Sequence, residues 1–185
     1  ITRDQLQMGR LGFRSGFHGR APSLKSRARL VPSLPQSEDT TIFELLVLAA
    51  AAVASPQGAT FTCTPTRVWD GDGPIWCAEG PRIRLSGIAA REMDGSCRPN
   101  HPCPQASAEE ARDALVRLVG RPTGVSRDGH ILVTGPAMTC RSQGSAGGAR
   151  TAAWCNSPKS GDLSCEMVRG GWALRWDRYW RGHRC

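Results

Sequence analysis

All eight cysteines of this chain lie beyond residue 60: Cys63, Cys77, Cys97, Cys103, Cys140, Cys155, Cys165 and Cys185. An even number confined to one segment reads as a disulfide framework, and such frameworks are made and kept in oxidising compartments. The spacing leaves the connectivity open, since eight cysteines can pair in roughly a hundred ways. Bound zinc is the rival reading. It is disfavoured because no Cys-x-x-Cys pair is present and the closest cysteines, Cys97 and Cys103, are spaced too widely for a zinc knuckle.

The framework sits in a chain of 185 residues, a length that usually means one domain with at most an appendage. The 21 glycines and 13 prolines imply many turns, and so short strands rather than a helical bundle. Basic residues outnumber acidic ones 24 to 16, net +8, and all but two of the basic residues are arginine. Arginine grips phosphate with a flat two-pronged fork that lysine lacks. A GC-rich coding sequence would favour arginine as well, so the charge points to a polyanionic partner without establishing one.

Composition changes along the chain. Residues 1–41 are rich in Gly, Ser, Pro and Arg, carry a net charge of +4 and show no hydrophobic period. They are expected to form a disordered basic extension. Residues 42–54 are an apolar run broken only by Glu44 and ending in Ala52-Val53-Ala54 before Ser-Pro. The run is too short to span a bilayer and has the form of a secretory signal core with its cleavage site. It predicts a secreted or periplasmic product with no stable membrane span. Glu44 and the acidic Glu38-Asp39 argue instead for a buried helix, but every cysteine lies beyond the presumed cut, which favours the signal. The remaining domain, residues 55–185, holds 17 basic and 12 acidic residues, net +5.

Within that domain the periodicity predicts a strand from Thr60 to Trp69, with Pro65 marking an edge or bulge, and a returning strand from Ile75 to Ala78. A third strand runs from Arg82 to Ile88, with Ile83 and Leu85 on one face and Arg82, Arg84 and Ser86 on the other. Gly95 to Pro104 reads as a loop stapled by Cys97 and Cys103. Ser107 and Glu110 form a capping box for a helix whose buried stripe is Ala108, Ala111, Leu115 and Leu118, ended by Gly120 and Pro122. Asp128-Gly129 turns into a strand from His130 to Thr134. The Gly- and Ser-rich segment from Arg141 to Arg150 is expected to be mobile, before a short strand from Thr151 to Cys155. Asp162 caps a second helix, Leu163 to Arg169, stopped by Gly170-Gly171.

The chemistry is concentrated between Arg67 and Glu92. Asp70 and Asp72 flank a glycine at a turn, Arg84 lies on the polar face of the third strand, and Glu92 follows where the chain leaves the sheet. Carboxylates that can hold a cation and position a water, beside a guanidinium that can grip phosphate oxygens, suit phosphodiester chemistry. Each residue also has a plainer reading. Asp-Gly is a common hairpin turn, an arginine on a polar strand face is often only solvated, and Glu92 could pair with Arg91 or Arg150 at the surface. His101, His130 and His183 show no spacing that suggests a metal site and are expected at the surface. Trp69 and Trp172 are expected in the core. Trp176 and Trp180, interleaved with Arg175, Arg178 and Arg181, are expected to form a nucleic-acid-contacting patch.

The order of these features resembles the thermonuclease (staphylococcal-nuclease-like) family over about residues 61 to 176. The resemblance is carried by the Asp-Gly-Asp turn, Ile83-Arg84-Leu85-x-Gly87-Ile88, Glu92, Asp162-Leu163, and Val168-Arg169-Gly170-Gly171-Trp172-Ala173-Leu174. It implies an α+β fold, a five-stranded OB-type barrel with two or three packed helices, here stapled by disulfides. It also implies a monomer that hydrolyses single-stranded DNA or RNA, usually with calcium (Ca2+). On this resemblance Asp72 is a metal ligand, Arg84 holds the phosphate, Glu92 orients or deprotonates the attacking water, and Arg150 is the second phosphate arginine. Arg82, Arg91, Arg175, Trp176, Arg178 and Trp180 are the expected nucleic-acid contacts. The chain departs from the pattern at three places. Ala89 stands where a second metal carboxylate is usual, Arg91 where proline is usual, and Gly73 where threonine follows the turn. Fewer charged ligands weaken a calcium site. Asp70 could join Asp72 on the ion, substrate and water could hold it, or Arg91 could put positive charge in its place. The expected activity is a weakened nuclease, with a non-catalytic nucleic-acid-binding module or a disulfide-rich envelope protein as alternatives.

Overall fold

A computed structural model of the chain describes residues 53–185. The basic extension and all but the last two residues of the signal-like run lie outside the described residues. Along the described chain come strands β1 (Thr60–Cys63), β2 (Pro65–Val68), β3 (Ile75–Cys77), β4 (Arg82–Leu85) and β5 (Ile88–Ala89), then helix α1 (Ala108–Val119). Strands β6 (Arg121–Val125), β7 (Ile131–Thr134), β8 (Met138–Ser145), β9 (Arg150–Ser157) and β10 (Gly161–Asp162) follow. The chain ends with α2 (Leu163–Arg169), β11 (Leu174–Arg175) and α3 (Asp177–Trp180).

The class is α+β. The main sheet runs β1-β8-β9-β4-β3-β2-β7-β6, with β10 added beside β9, while β11 pairs with β5 apart from it. Every neighbouring pair is antiparallel except β4 and β9. Only Thr64 separates β1, at one end of this path, from β2 in its interior, so the sheet curls back on itself as a mixed half-barrel. This path holds eight strands where a five-stranded barrel was expected. Two causes account for the difference. The segment read as one strand breaks at Thr64, and Pro65, which has no N–H to donate, is followed by a register shift between Pro65 and Arg67. The hairpin of β6 and β7 then extends the sheet beyond α1.

The helices form where their caps predict. The Ser107 hydroxyl accepts from the Glu110 N–H, the Glu110 carboxylate accepts from the Ser107 N–H, and α1 stops at Gly120. Ala108, Ala111 and Leu115 are buried as expected and are joined by Ala114, Val116 and Val119, whereas Leu118 is only partly covered. Asp162 accepts from the Cys165 N–H at 2.9 Å, and Gly170 ends α2. These faces close on Ile75, Ile83, Leu85, Ile88 and Met138 of the sheet.

The segment from Arg141 to Arg150 is not a loop. Its first half belongs to β8, whose Gly144 and Ser145 face Ala152 and Thr151 of β9, and residues 146–149 make the turn between the two strands. The Ser142 hydroxyl is fully buried and donates to the Ser55 carbonyl at 2.8 Å. Small side chains made the stretch look like a linker, yet in a sheet it is main-chain pairing that holds them.

All eight cysteines pair, as Cys63–Cys77, Cys97–Cys103, Cys140–Cys155 and Cys165–Cys185. Cys140 and Cys155 face each other across β8 and β9. Cys165–Cys185 ties the C-terminal tail, including α3, to α2. Replacing Cys165 and Cys185 together by serine is expected to lower stability by about 2 kcal/mol, the low end for a native bridge. Urea denaturation under non-reducing conditions would measure this, and limited proteolysis should find new cuts after Trp176. No described helix is long and apolar enough to cross a membrane.

Two tryptophan expectations need correction. Trp69 and Trp172 are only half-buried, whereas Trp180, expected on the surface, is 4% exposed and belongs to the core. Gly87 is the reason. A Cβ there would lie 2.3 Å from the Trp154 ring and 3.0 Å from the Trp180 ring, so the bare glycine seats both indoles.

Candidate functional site

The Asp-Gly-Asp turn is pressed flat against α1. A Cβ at Gly71 would come within 2.4 Å of the Ala111 Cβ and 2.8 Å of the Ala90 Cβ, so only glycine lets the turn approach so closely. That approach buries Asp70 and Asp72. Gly73 has φ +113°, and a side chain there would meet the Ile83 carbonyl at 2.4 Å, so the position calls for glycine. With β4 so near, the Leu85 N–H donates to the Asp72 carbonyl at 2.8 Å.

Asp72 is saturated by local donors. Arg84 forks onto it, Nη1 to Oδ1 at 2.6 Å and Nη2 to Oδ2 at 2.7 Å, and the Ala90 N–H donates to Oδ2 at 3.1 Å. Its own N–H donates to Asp70 Oδ1 at 3.2 Å. Burial, then the Asp72 charge, pushes the Asp70 carboxyl up to about 8, opposed by the Asp72 amide and Arg84. Burial likewise raises Asp72 above its ordinary value, while Arg84 and the Ala90 amide hold the charged form in place.

Glu92 finds neither of its expected partners. It pairs with Arg98, whose Nε lies 2.6 Å from Oε1 and whose Nη2 lies 3.2 Å from Oε2. Arg91 points elsewhere, donating from Nε to the Pro104 carbonyl and from Nη1 to the Gly95 carbonyl, each at 2.9 Å. It ties down the 95–104 loop rather than putting charge where an ion would sit. Arg150 opens β9 opposite Arg82 of β4 and donates from Nη2 to the Ala146 carbonyl at 3.1 Å. Its charge acts on Asp72.

Two cavities meet at these arginines. One, of about 340 Å³, is lined by Asp70, Glu92, Arg98 and Arg150 together with Trp69, Trp76 and His130. The other, of about 390 Å³, is lined by Arg84, Arg98, Arg150 and Arg181 together with His101, Trp176 and Tyr179. Arg98 and Arg150 face both. The structure thus brings Asp70, Glu92 and Arg150 to one cavity and Arg84 and Arg150 to the other, adds Arg98 to both, and leaves Asp72 buried behind Arg84, lining neither.

The outlying candidates divide. Trp176 lines the second cavity, its ring 4.0 Å from His101 and 4.6 Å from Tyr179. Arg178 is exposed over Tyr179, and Arg82 is exposed 5.8 Å from the Trp76 ring. Arg175 lies 5.1 Å over the Trp180 ring and pairs with Asp177. The histidines are not all at the surface. His130 is buried between Trp69 and Trp76, and its Nδ1 lies 2.9 Å from Asp128 Oδ2, within ion-pair distance but not in hydrogen-bond geometry. His183 stacks on Trp154 at 3.7 Å and bonds Asp162 at 2.9 Å. Sequence reasoning missed Arg98, His101 and Tyr179, whereas Arg181 belonged to the expected aromatic and arginine patch. The one available signal was the position of Arg98 next to Cys97, six residues after Glu92.

The residues present do not fit calcium. Such an ion wants six to eight oxygens, roughly, at close range. Ala89 is fully buried and offers none, and both oxygens of Asp72 are already taken by Arg84. Among the described residues, the one trio of His, Cys, Asp or Glu with ligand atoms gathered closely enough for a metal is Asp162, Cys165 and His183. The Cys165 sulfur is committed to Cys185, which removes that trio too. No known family, curated protein or solved structure matches this chain, so any functional reading rests on the cleft itself.

Proposed function

We propose that the cleft binds single-stranded nucleic acid by its phosphodiester backbone and hydrolyses it slowly, in the manner of a divergent thermonuclease. The observation that carries this reading is the convergence of Glu92 with Arg84, Arg98 and Arg150 at two adjoining cavities with aromatic walls. Guanidinium groups neutralise the charge that grows on phosphate oxygens during attack, and each such contact is worth roughly 10²–10³-fold in rate. Glu92 accepts a proton from water, and the water oxygen forms the new bond to phosphorus. The ester P–O bond breaks, its electron pair leaves with the sugar oxygen, and that oxygen takes a proton from solvent. Aromatic walls favour unpaired bases, because a base can stack on them only when it is out of a duplex.

The OB-type reading of the sheet is supported by the near-continuity of β1 and β2. Counted as one bent strand, they make five with β3, β4, β9 and β8, and β6–β7 is an added hairpin. Four disulfides fit an oxidising, extracellular-type environment, and the apolar run ending at Ala54 supports secretion or export to the periplasm.

The test is cleavage of end-labelled single-stranded DNA and RNA by the oxidised protein. Glu92→Gln is expected to reduce the rate about a hundredfold, the lower range for loss of a general base. A parent protein that cleaves no better than Glu92→Gln would refute catalysis. A second reading, a binding module without turnover, is favoured by one observation, the neutralisation of Glu92 by Arg98. It predicts binding that weakens steeply as salt rises, with intact strands recovered.

A further inference from the structure

We propose that Arg98, rather than Arg84, is the partner of Arg150 in gripping the phosphate, and that this guanidinium pair lets the site work without a divalent cation. The inference rests on the phosphodiester reading above and assigns the binding residues within it.

Arg84 lines the second cavity but is already committed to Asp72. Both prongs of its fork are on Asp72, in a pair whose side chains are 14% and 4% exposed. Pulling Arg84 away would strand a buried carboxylate, which is costly. The Arg98–Glu92 pair is different, with side chains 51% and 22% exposed. Exposed pairs are held weakly and exchange partners readily. Arg98 uses Nε and Nη2 on Glu92, and no described hydrogen bond uses its Nη1. Among the described residues Arg150 makes side-chain hydrogen bonds to the Gly147 and Ala146 carbonyls and no ion pair, its charge reaching Asp72 only at a distance. A phosphodiester held between Arg98 and Arg150, at the junction of the two cavities, would meet two guanidinium groups that no buried acid retains.

The position of Arg98 is built into the fold. The Cys97–Cys103 bridge closes a small ring around it. Arg91 anchors both ends of that loop through the Gly95 and Pro104 carbonyls. The Glu92 N–H donates to the Ser96 carbonyl at 2.9 Å, and the Gly95 N–H donates to the Glu92 carbonyl at 2.8 Å. The loop is therefore laced to the very residue that Arg98 covers.

Substrate binding and base activation become one event. As Arg98 turns from Glu92 to the phosphate, the carboxylate is released to take the proton of the attacking water. The water oxygen bonds to phosphorus, the ester P–O bond breaks with its electron pair on the sugar oxygen, and solvent protonates that oxygen. No co-reactant beyond water is needed, and the charge that a metal would neutralise falls on the guanidinium pair.

The experiment compares the oxidised full chain with Arg98→Ala and Arg98→Lys in EDTA and in calcium, using a fluorescent single-stranded oligonucleotide. Anisotropy across a salt series reads binding, and steady-state cleavage reads kcat and KM separately. The parent is expected to bind and cleave equally in EDTA and calcium. Arg98→Ala should lower the slope of log affinity against log salt by about 0.7, one phosphate contact on a single strand. It should lower kcat about 10²-fold, with partial recovery in added guanidinium, a response that a purely structural residue would not give. Arg98→Lys should keep the slope and recover only part of kcat, since it retains charge without the fork. An unchanged slope and unchanged cleavage in Arg98→Ala would overturn the proposal. So would cleavage that needs calcium and is indifferent to Arg98, and that outcome would leave the phosphodiesterase reading standing. A parent that binds but never cleaves would instead sink the phosphodiesterase reading, and the salt slope alone would then decide whether Arg98 grips phosphate. Mapping the four disulfides in each variant confirms that the loop has formed, and Arg98→Lys serves as the decisive variant if Arg98→Ala misfolds.

Discussion

Arg84→Ala is expected to destabilise the protein by about 3–5 kcal/mol, the usual cost of leaving one member of a buried ion pair alone. Arg84 supplies two of the three hydrogen bonds that the Asp72 carboxylate receives, and Asp72 is 3% exposed. Without the guanidinium, the carboxylate keeps only the Ala90 N–H and cannot reach water. Truncating both partners tells coupling from mere loss of packing. In Arg84→Ala/Asp72→Asn the uncharged amide no longer needs a counter-ion, so the double variant should be more stable than Arg84→Ala alone. Urea midpoints for the two single variants and the double variant give the coupling directly. Equal losses in Arg84→Ala and the double variant would mean that the pair contributes little as a pair.

The second large effect concerns pH. The folded Asp70 carboxyl sits at about 8 against an ordinary value of 3.8. Below about pH 4 both the folded and unfolded chains hold this proton, so the group is neutral to stability. Between pH 4 and pH 8 the folded chain still holds a proton that the unfolded chain has released, so stability falls as pH rises. Above pH 8 the folded state carries the full cost of a buried charge. The two limits differ by roughly 6 kcal/mol on the usual conversion of pKa into free energy. Asp70→Asn, which mimics the protonated form, should flatten this slope. It should match the parent near pH 4 and exceed it near pH 8. Thermal unfolding at a series of pH values reads the difference, and parallel curves for the two proteins would contradict it.

Local chemistry was readable in the sequence wherever a side chain and its partner are close along the chain. Ser107 with Glu110 and Asp162 with Cys165 are caps whose bonds span three residues, so spacing alone placed both helices. The Asp-Gly-Asp turn and the face of β4 that carries Arg84 were readable for the same reason. Readability stopped where meaning depends on distant contacts. The Gly- and Ser-rich stretch became β8 because β1, about eighty residues away, pairs along one edge while β9 pairs along the other. Trp180 resembled an exposed aromatic among arginines, yet Gly87, far off in sequence, leaves space for its ring. Arg98 shows the same limit. Its place next to Cys97 was the one local hint, and the hint gains meaning only once the Cys97–Cys103 ring and the Arg91 anchors fix which way the loop lies.

The disulfides join positions 14, 6, 15 and 20 residues apart, so every one fastens near neighbours. The closure of the curled sheet, where Thr60 faces Arg141 and Cys63 faces Met138, has no covalent fastening. Cys63, at the end of β1, is bonded to Cys77 of β3 and not to β8 across that seam. Tension on the chain near Ser55 would therefore peel β1 from β8 by breaking hydrogen bonds alone, while the stapled hairpins on either side keep their shape. The join between the first strand and the eighth is one that hydrogen bonds and packing alone must hold.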